Sequence, residues 1–168
     1  RREMVDRLSG GRIGYMHLPN TGMEGNRELV KAFYPQASKE ALIIDDRYNG
    51  GGFIPDRMIE MLGREPLNYW KSRGVEPNAT PLLSHRGPKA MLINGLSSSG
   101  GDALPYYFRK LDLGPIIGTR TWGGLIGISG NPALADGGVI LAATFRFLGT
   151  DGQWAVENEG VAPDIEVI

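Results

Sequence analysis

The chain has 168 residues and a mass of 18.3 kDa, the size of one domain, and a domain of this length buries roughly 70% of its unfolded surface. Hydrophobic residues make up 41% and charged residues 22%, a composition that is typical of a globular domain and excludes disorder, coiled coils and collagen. The 18 basic and 19 acidic side chains nearly balance, so the charge gives no reason to expect nucleic acid or an anionic membrane as a partner.

The first part of the chain predicts an alternation of strands and helices. Residues 1–11 form a charged lead-in, which we assign to an upstream module, and residues 12–168 are predicted to form one core domain. Within it, residues 12–18 predict a first strand, and apolar residues at helical spacing predict a helix over 27–34. The short apolar run 41–45 predicts a strand that is buried on both faces of a sheet.

The middle of the chain repeats this pattern. Residues 55–62 predict a helix with Pro55 in its first turn, where proline is tolerated. Residues 63–86 contain several prolines and are predicted to form an irregular surface excursion. Residues 89–94 then predict a second buried strand, and residues 102–111 predict the helix that follows it.

Two further strands are predicted, over 115–121 and over 138–147. Two consecutive units of strand, small-residue loop and helix predict an α/β domain, with parallel pairing in its central sheet. Such sheets bind ligands outside the carboxyl ends of their strands. The loops after 41–45 and after 89–94 both lie at that edge, so the functional residues are expected there.

Three consecutive glycines, Gly50 to Gly52, follow the first of these strands. In such a loop the backbone amides can approach a ligand closely and point at negative charge. The spacing fits neither a Walker phosphate loop nor a dinucleotide-binding loop, so a developing oxyanion is the favoured ligand. The alternative is a tight turn that requires positive φ angles.

The second loop contains Ser97, Ser98 and Ser99, followed by two glycines and Asp102. A serine on a turn from strand to helix can expose its hydroxyl, while the next amide lies at the helix N-terminus as an oxyanion donor. This arrangement suits acyl transfer, although the string is not the GxSxG of α/β-hydrolases. The alternative is a capping box, with Ser99 as the N-cap and Asp102 as the acid three residues later.

Cysteine is absent, and histidine occurs only at His17 and His85. The absence of cysteine excludes disulfides and thiolate catalysis but leaves the cellular compartment open. Neither histidine has neighbouring carboxylates in the pattern of a metal site, so we predict no metal and no other cofactor. The chain has no apolar stretch of about 20 residues, so we expect no membrane span within it. It begins without methionine, so we expect it to be a piece of a longer protein.

Five blocks in this order resemble the core catalytic domain of tricorn-type serine peptidases, relatives of the carboxyl-terminal-processing peptidases, in which this domain lies after a PDZ module. The blocks are IGYMHLPNTGM, ALIIDDRYNGGG, LINGLSSSGGDALPYYFRKLDLG, IIGTRTWGG and VENEGVAPDIEV. The resemblance covers nearly the whole chain. It implies a fold similar to the Clp protease subunit and crotonase, and hydrolysis of peptide bonds in short peptides through an acyl-enzyme.

The resemblance also implies a role for individual residues. The nucleophile falls on Ser99, and the oxyanion hole falls on the amide of Gly100 together with one from the NGGG loop, for which Gly51 is favoured. The glutamate that orients the catalytic histidine falls in the VENEG block, where Glu157 is favoured over Glu159 because it directly precedes the asparagine. In the same comparison, Trp122 is expected to be a packing residue or part of the substrate groove, with packing favoured.

The catalytic base is expected from outside this chain, because in this family a histidine precedes the PDZ module. His17 is interpreted as a structural histidine of the first strand, and His85 as a residue without a catalytic role. The chain alone is therefore predicted to be inactive. The partners implied are a peptide substrate, upstream PDZ-like and histidine-bearing domains, and further copies in a homo-oligomer. The alternatives are a non-catalytic peptide-binding or assembly module of the same fold, and a crotonase-like acyl-thioester enzyme.

Overall fold

A five-stranded parallel sheet forms the centre of the computed structural model, which describes all residues from Arg1 to Ile168. In chain order the elements are α1 (Arg2–Ser9), β1 (Ile13–His17), α2 (Met23–Phe33), β2 (Ala41–Asp45), α3 (Pro55–Leu62), β3 (Asn68–Trp70), β4 (Asn78–Thr80), β5 (Lys89–Ile93), α4 (Gly100–Lys110), β6 (Ile116–Gly118) and β7 (Ile165–Glu166). The strand order is β1-β2-β5-β6-β7, and every neighbouring pair is parallel. The predicted α/β class with parallel pairing is confirmed.

The core is built on a row of apolar side chains that crosses the sheet. In the observed register Met16 lies beside Ile44, Ile44 beside Met91, and Met91 beside Ile116, and all four are at most 1% exposed. Each helix after α1 adds two fully buried side chains to the same core, namely Leu29 and Phe33, Met58 and Leu62, and Leu104 and Phe108. Complete burial of one such side chain stabilises the fold by about 1.5–3 kcal/mol.

The charged lead-in contains a helix that the sequence pattern does not predict. Helix α1 packs beside β1, and it ends at Gly10 in a left-handed conformation with φ 62°. The amides of Gly10 and Gly11 close the last turn on the carbonyls of Arg7 and Asp6. Eight residues with many charges have too few apolar positions to reveal a helical stripe, so the Gly-Gly pair at the C-terminus was the available signal.

Helix α2 begins at Met23, four residues before the predicted start. The side-chain Oδ1 of Asn20 accepts hydrogen bonds from the amides of Gly22 and Gly25, at 3.0 Å and 2.9 Å. The predicted turn therefore supplies a polar partner for the amides at the beginning of the helix.

The strand predicted over 138–147 is wrong. These residues are exposed and make only single bridges, such as Gly127 with Phe145 and Ala133 with Val139. The apolar and β-branched sequence favours a strand, but the segment forms only isolated bridges and no ladder with the sheet. Two smaller differences are the short β3–β4 hairpin within the excursion 63–86, and the end of β6 at Gly118, where φ is 129°.

The loops after β2 and β5 meet at the carboxyl edge of the sheet, as expected. The amide of Ser98 donates to the carbonyl of Asn49 at 2.9 Å, and the Ser97 hydroxyl donates to the carbonyl of Asp46 at 2.8 Å. These bonds fix the glycine loop and the serine loop against each other. Separately, none of the four helices has both the length and the apolar character that crossing a bilayer requires.

Candidate active site

Ser99 adopts a backbone conformation that non-glycine residues seldom occupy. It lies between β5 and α4 with φ 55° and ψ −115°. Its amide donates to the carbonyl of Gly124 at 3.1 Å, and its carbonyl accepts the amides of Asp102 and Ala103. A conformation of this kind costs about 1–3 kcal/mol and persists only where the surroundings hold it. Ser99 thus has the sharp strand-to-helix turn expected of a nucleophile.

Ser99 occupies the N-cap position of α4, but its side chain does not cap the helix. Ser99 directly precedes α4, but its hydroxyl makes no hydrogen bond to the helix. The acid of the supposed capping box faces elsewhere, because Oδ1 of Asp102 accepts the amide of Gly123 at 2.8 Å. The Ser99 hydroxyl therefore has no structural partner and is free to react.

The two glycine loops touch each other around Ser99. A Cβ atom on Gly51 would lie 2.7 Å from the Cβ of Ser99, and one on Gly100 would lie 2.9 Å from the nitrogen of Gly52. Gly51 and Gly52 also have positive φ angles of 85° and 145°. Side chains are thus excluded at these glycines, and the backbone of the glycine loop lies against Ser99.

Two amides at this contact have no acceptor within the protein, those of Gly52 and Gly100. Both residues line the cavity next to Ser99. The amide of Gly51, the expected donor, already donates to Oδ1 of Asn49 at 2.9 Å. The structure therefore favours Gly52 over Gly51 as the partner of Gly100, because only a free amide can stabilise an oxyanion without losing another hydrogen bond.

Asn49 and Asp46 support this loop from beneath, and motif comparison did not select either residue. Both are fully buried, and Nδ2 of Asn49 donates to Oδ1 of Asp46 at 2.8 Å. Burial raises the pKa of Asp46 well above its usual value. The polar string Asp-Asp-Arg-Tyr-Asn directly after a buried strand was the signal available in the sequence.

Two cavities lie on either side of Ser99. The first has a volume of about 310 Å³ and is mostly apolar, with lining side chains that include Phe53, Ala103, Tyr107, Leu125, Phe145 and Phe147. The second has a volume of about 510 Å³ and is lined by Trp122, Glu157 and Asn158 among others. Ser99, Ile126 and Ile128 line both cavities. Trp122 is 66% exposed at the second cavity, so the favoured interpretation of Trp122 as a packing residue is wrong.

Glu157 lies in the second cavity together with Ser99. Its Oε2 accepts the amides of Leu125 and Ile126, both at 2.7 Å, which leaves Oε1 without a hydrogen bond. Glu159 is exposed and does not line either cavity, and its backbone carbonyl accepts a hydrogen bond from Arg120. Of the two glutamates in the VENEG block, only Glu157 shares a cavity with Ser99.

Neither histidine lines a cavity at Ser99. His85 is 2% exposed, its Nε2 lies 2.9 Å from the carbonyl of Lys39, and burial lowers its pKa. Nε2 of His17 lies 3.2 Å from the carbonyl of Arg47. Across the chain, no three side chains of histidine, aspartate or glutamate are arranged to hold a metal ion. The site thus combines the Ser99 hydroxyl, free amides and the carboxylate of Glu157, but no histidine lines either cavity.

A nucleophile on a strand-to-helix turn beside free amides defines the class of serine hydrolases that form acyl-enzymes. The sequence model of peptidase family S41 matches residues 12–167, and the chain belongs to this family, whose members are serine peptidases. Its core is similar to the tricorn protease of Thermoplasma acidophilum, at 40% identity over 99% of the chain and 16% of that protein. The putative tricorn protease homolog 2 of Streptomyces coelicolor is 41% identical over all of the chain and 14% of its own length.

Solved structures agree with this assignment. The crystal structure of the tricorn protease superposes with a TM-score of 0.91 at 40% identity, and covers 99% of this chain and 16% of that one. The photosystem II D1 C-terminal processing protease has the same fold, with a TM-score of 0.70 at 22% identity over 92% of this chain and 42% of its own. The chain therefore spans about a sixth of the length of its tricorn relatives.

Proposed function

We propose that this chain is the catalytic core of a tricorn-type serine peptidase, which hydrolyses peptide bonds in short peptides. The observation that carries the proposal is Ser99, held at a positive φ angle with a free hydroxyl beside the free amides of Gly52 and Gly100. Membership of peptidase family S41 supports the reaction, and the largely apolar cavity beside Ser99, which Arg146 also lines, supports binding of a substrate side chain.

In the first step Oγ of Ser99 attacks the carbonyl carbon of the substrate, and its proton passes to a base. The carbonyl oxygen becomes an oxyanion, which accepts hydrogen bonds from the amides of Gly52 and Gly100. When the tetrahedral intermediate collapses, the C–N bond breaks and the leaving amine takes the proton from the base. Water then attacks the acyl-enzyme ester by the same route and releases the acid and free Ser99.

The base is proposed to be a histidine from an upstream domain of the same protein. The second cavity contains Ser99 and Glu157, and the free Oε1 of Glu157 provides an acceptor for one nitrogen of an imidazole placed there. A carboxylate in this position fixes the orientation of the ring and stabilises the imidazolium that forms during attack. The length of the matched relatives, about six times that of this chain, supports further domains such as a PDZ-like domain. Assembly into a homo-oligomer is part of the same proposal and follows from the family resemblance.

The test is the Ser99→Ala variant of the full-length protein, assayed on short fluorogenic peptides. Hydrolysis should fall by about 10⁴-fold or more, because the acyl-enzyme cannot form, while the circular dichroism spectrum stays unchanged. Ser98→Ala is the matched control, since the Ser98 side chain makes only a long hydrogen bond to the carbonyl of Asn49. This variant should retain wild-type activity. Turnover by the Ser99→Ala variant would refute the assignment. A wild-type protein that binds peptides without cleaving them would indicate a non-catalytic module, and coenzyme A binding would indicate an acyl-thioester enzyme.

A further inference from the structure

Asp102 is a fully buried carboxylate whose hydrogen bond leaves its own helix. It lies in the first turn of α4, and its Oδ1 accepts the amide of Gly123 at 2.8 Å. Its Oδ2 makes no close hydrogen bond, and burial raises its pKa, although the Thr121 hydroxyl and the amides of Gly123, Ser99 and Gly124 lower it. A buried carboxylate with an unpartnered oxygen is unfavourable for stability alone. We therefore expect the Asp102 carboxylate to have a function in the segment to which it is hydrogen-bonded.

The segment that Asp102 holds is the loop 122–124, and this loop is bonded directly to the nucleophile turn. The carbonyl of Gly124 accepts the amide of Ser99 at 3.1 Å, and the amide of Trp122 donates to the carbonyl of Ser97 at 3.0 Å. The bond from Gly123 to Asp102 lies between these two. The hydrogen bonds of this loop thus help to hold Ser99 at its strained φ of 55°.

The same loop also leads to the carboxylate of the site. Gly124 is followed by Leu125 and Ile126, and the amides of these two residues donate to Oε2 of Glu157. Gly123 has little freedom to adjust, because a Cβ on it would lie 2.6 Å from the nitrogen of Gly160. A displacement of the loop at Gly123 would therefore move the backbone of Ser99 and the side chain of Glu157 relative to each other.

We propose that Asp102 is a positioning residue, which fixes the loop 122–124 and through it the geometry of Ser99 and Glu157. This inference rests on the proposed peptidase function. It differs from the general role of an acid at a helix N-terminus, which would stabilise α4 without any effect on the chemistry.

The experiment compares Asp102→Leu and Asp102→Asn in the full-length protein. Leucine removes the acceptor for Gly123, so kcat should fall on the order of 10²-fold, the effect of a displacement of about 1 Å at a catalytic site. KM should change little, and labelling of Ser99 by a fluorophosphonate should slow by the same factor as kcat. Asparagine keeps an acceptor oxygen of the same shape, so Asp102→Asn should retain most of the wild-type kcat and labelling rate.

Asp56→Asn is the matched control, because Asp56 is an exposed acid in the first turn of α3 and should be replaceable without loss of activity. If Asp102→Leu fails to fold, Asp102→Ala leaves room for the loop and carries the same expectation. Folded Asp102→Leu or Asp102→Ala with unchanged kcat and labelling would overturn the inference, as would an equal loss in Asp102→Asn. A wild-type protein without hydrolysis would instead refute the proposed function, so the two failures are distinguishable.

Discussion

At the scale of single residues, the side chain of Asn49 separates two neighbouring glycines. Sequence analysis favours Gly51, but in the structure Gly51 and Gly52 both have positive φ angles and both lie close to the serine loop. The distinction arises because Asn49 folds back onto the amide of Gly51 and leaves that of Gly52 free. A side chain two residues away thus decides which amide can serve as a donor.

A structure of the full-length protein with a peptide boronic acid bound to Ser99 would show directly which glycine amide donates to the oxyanion. The boronate oxygen that mimics the oxyanion should lie about 2.7–3.1 Å from the nitrogens of Gly52 and Gly100. The amide of Gly51 should remain on Asn49. If the oxygen lies within this distance of Gly51, with Asn49 turned away, Gly52 is not the donor.

Glu157 can be tested by a change that keeps its shape. In Glu157→Gln the side-chain oxygen can still accept the amides of Leu125 and Ile126, so the loop should stay in place. The negative charge is lost, and with it the support for a histidine that becomes cationic during attack. We expect kcat to fall by roughly 10²–10⁴-fold, the range associated with acid–base catalysis, with a small change in KM. Glu159→Gln, at the exposed glutamate of the same block, should keep wild-type kinetics, and equal effects of the two variants would contradict the assignment.

At the scale of elements, prediction succeeds where local sequence and tertiary context agree. β2 and α3 have the predicted bounds, because an apolar run between turn residues and a proline-started helix are already complete local signals. Helix α1 was missed because it has few apolar residues, and β7 because two residues carry no pattern. The nucleophile and Glu157 follow from the family resemblance, whereas the hydrogen bonds of Asn49 and Asp102 connect segments that only the fold brings together.

In the segment 138–147 local sequence and tertiary context disagree, because the segment has strand propensity but no partner strand. The amides of Ile140 and Leu141 donate to no backbone carbonyl, and both side chains are more than 60% exposed. In hydrogen exchange of the full-length protein, a peptide covering 138–143 should therefore label at the earliest time points, while β5 stays protected. Slow exchange of that peptide would contradict this and would mean that another part of the protein, or another copy, covers the segment.

At the scale of the whole molecule, the active site is incomplete within one chain. The serine hydroxyl, the free amides and the carboxylate come from three separate crossovers of a single sheet, but no histidine lines either cavity. A serine hydroxyl is a poor nucleophile at its free pKa, so a base within hydrogen-bond reach is required. The fold thus presents groups that can stabilise charge, and the proposal assigns proton transfer to another domain.

The isolated 168-residue chain should for this reason react slowly with a fluorophosphonate probe. We expect the labelling rate of Ser99 to be roughly 10²-fold or more below that of the full-length protein, since general-base assistance is missing. A thermal unfolding curve of the same sample shows whether the chain is folded. Labelling of the isolated chain at the full-length rate would mean that the base lies within this chain, and would contradict the proposal of an external histidine.

The backbone conformation of Ser99 has a consequence for how this domain can evolve. A glycine at position 99 would relieve a strain of about 1–3 kcal/mol, which exceeds the roughly 0.5–1 kcal/mol of backbone entropy that glycine loses on folding. A descendant freed from selection for hydrolysis would thus gain stability if glycine replaced Ser99. Selection on the hydroxyl is therefore needed to keep a serine at a position where its backbone conformation is unfavourable.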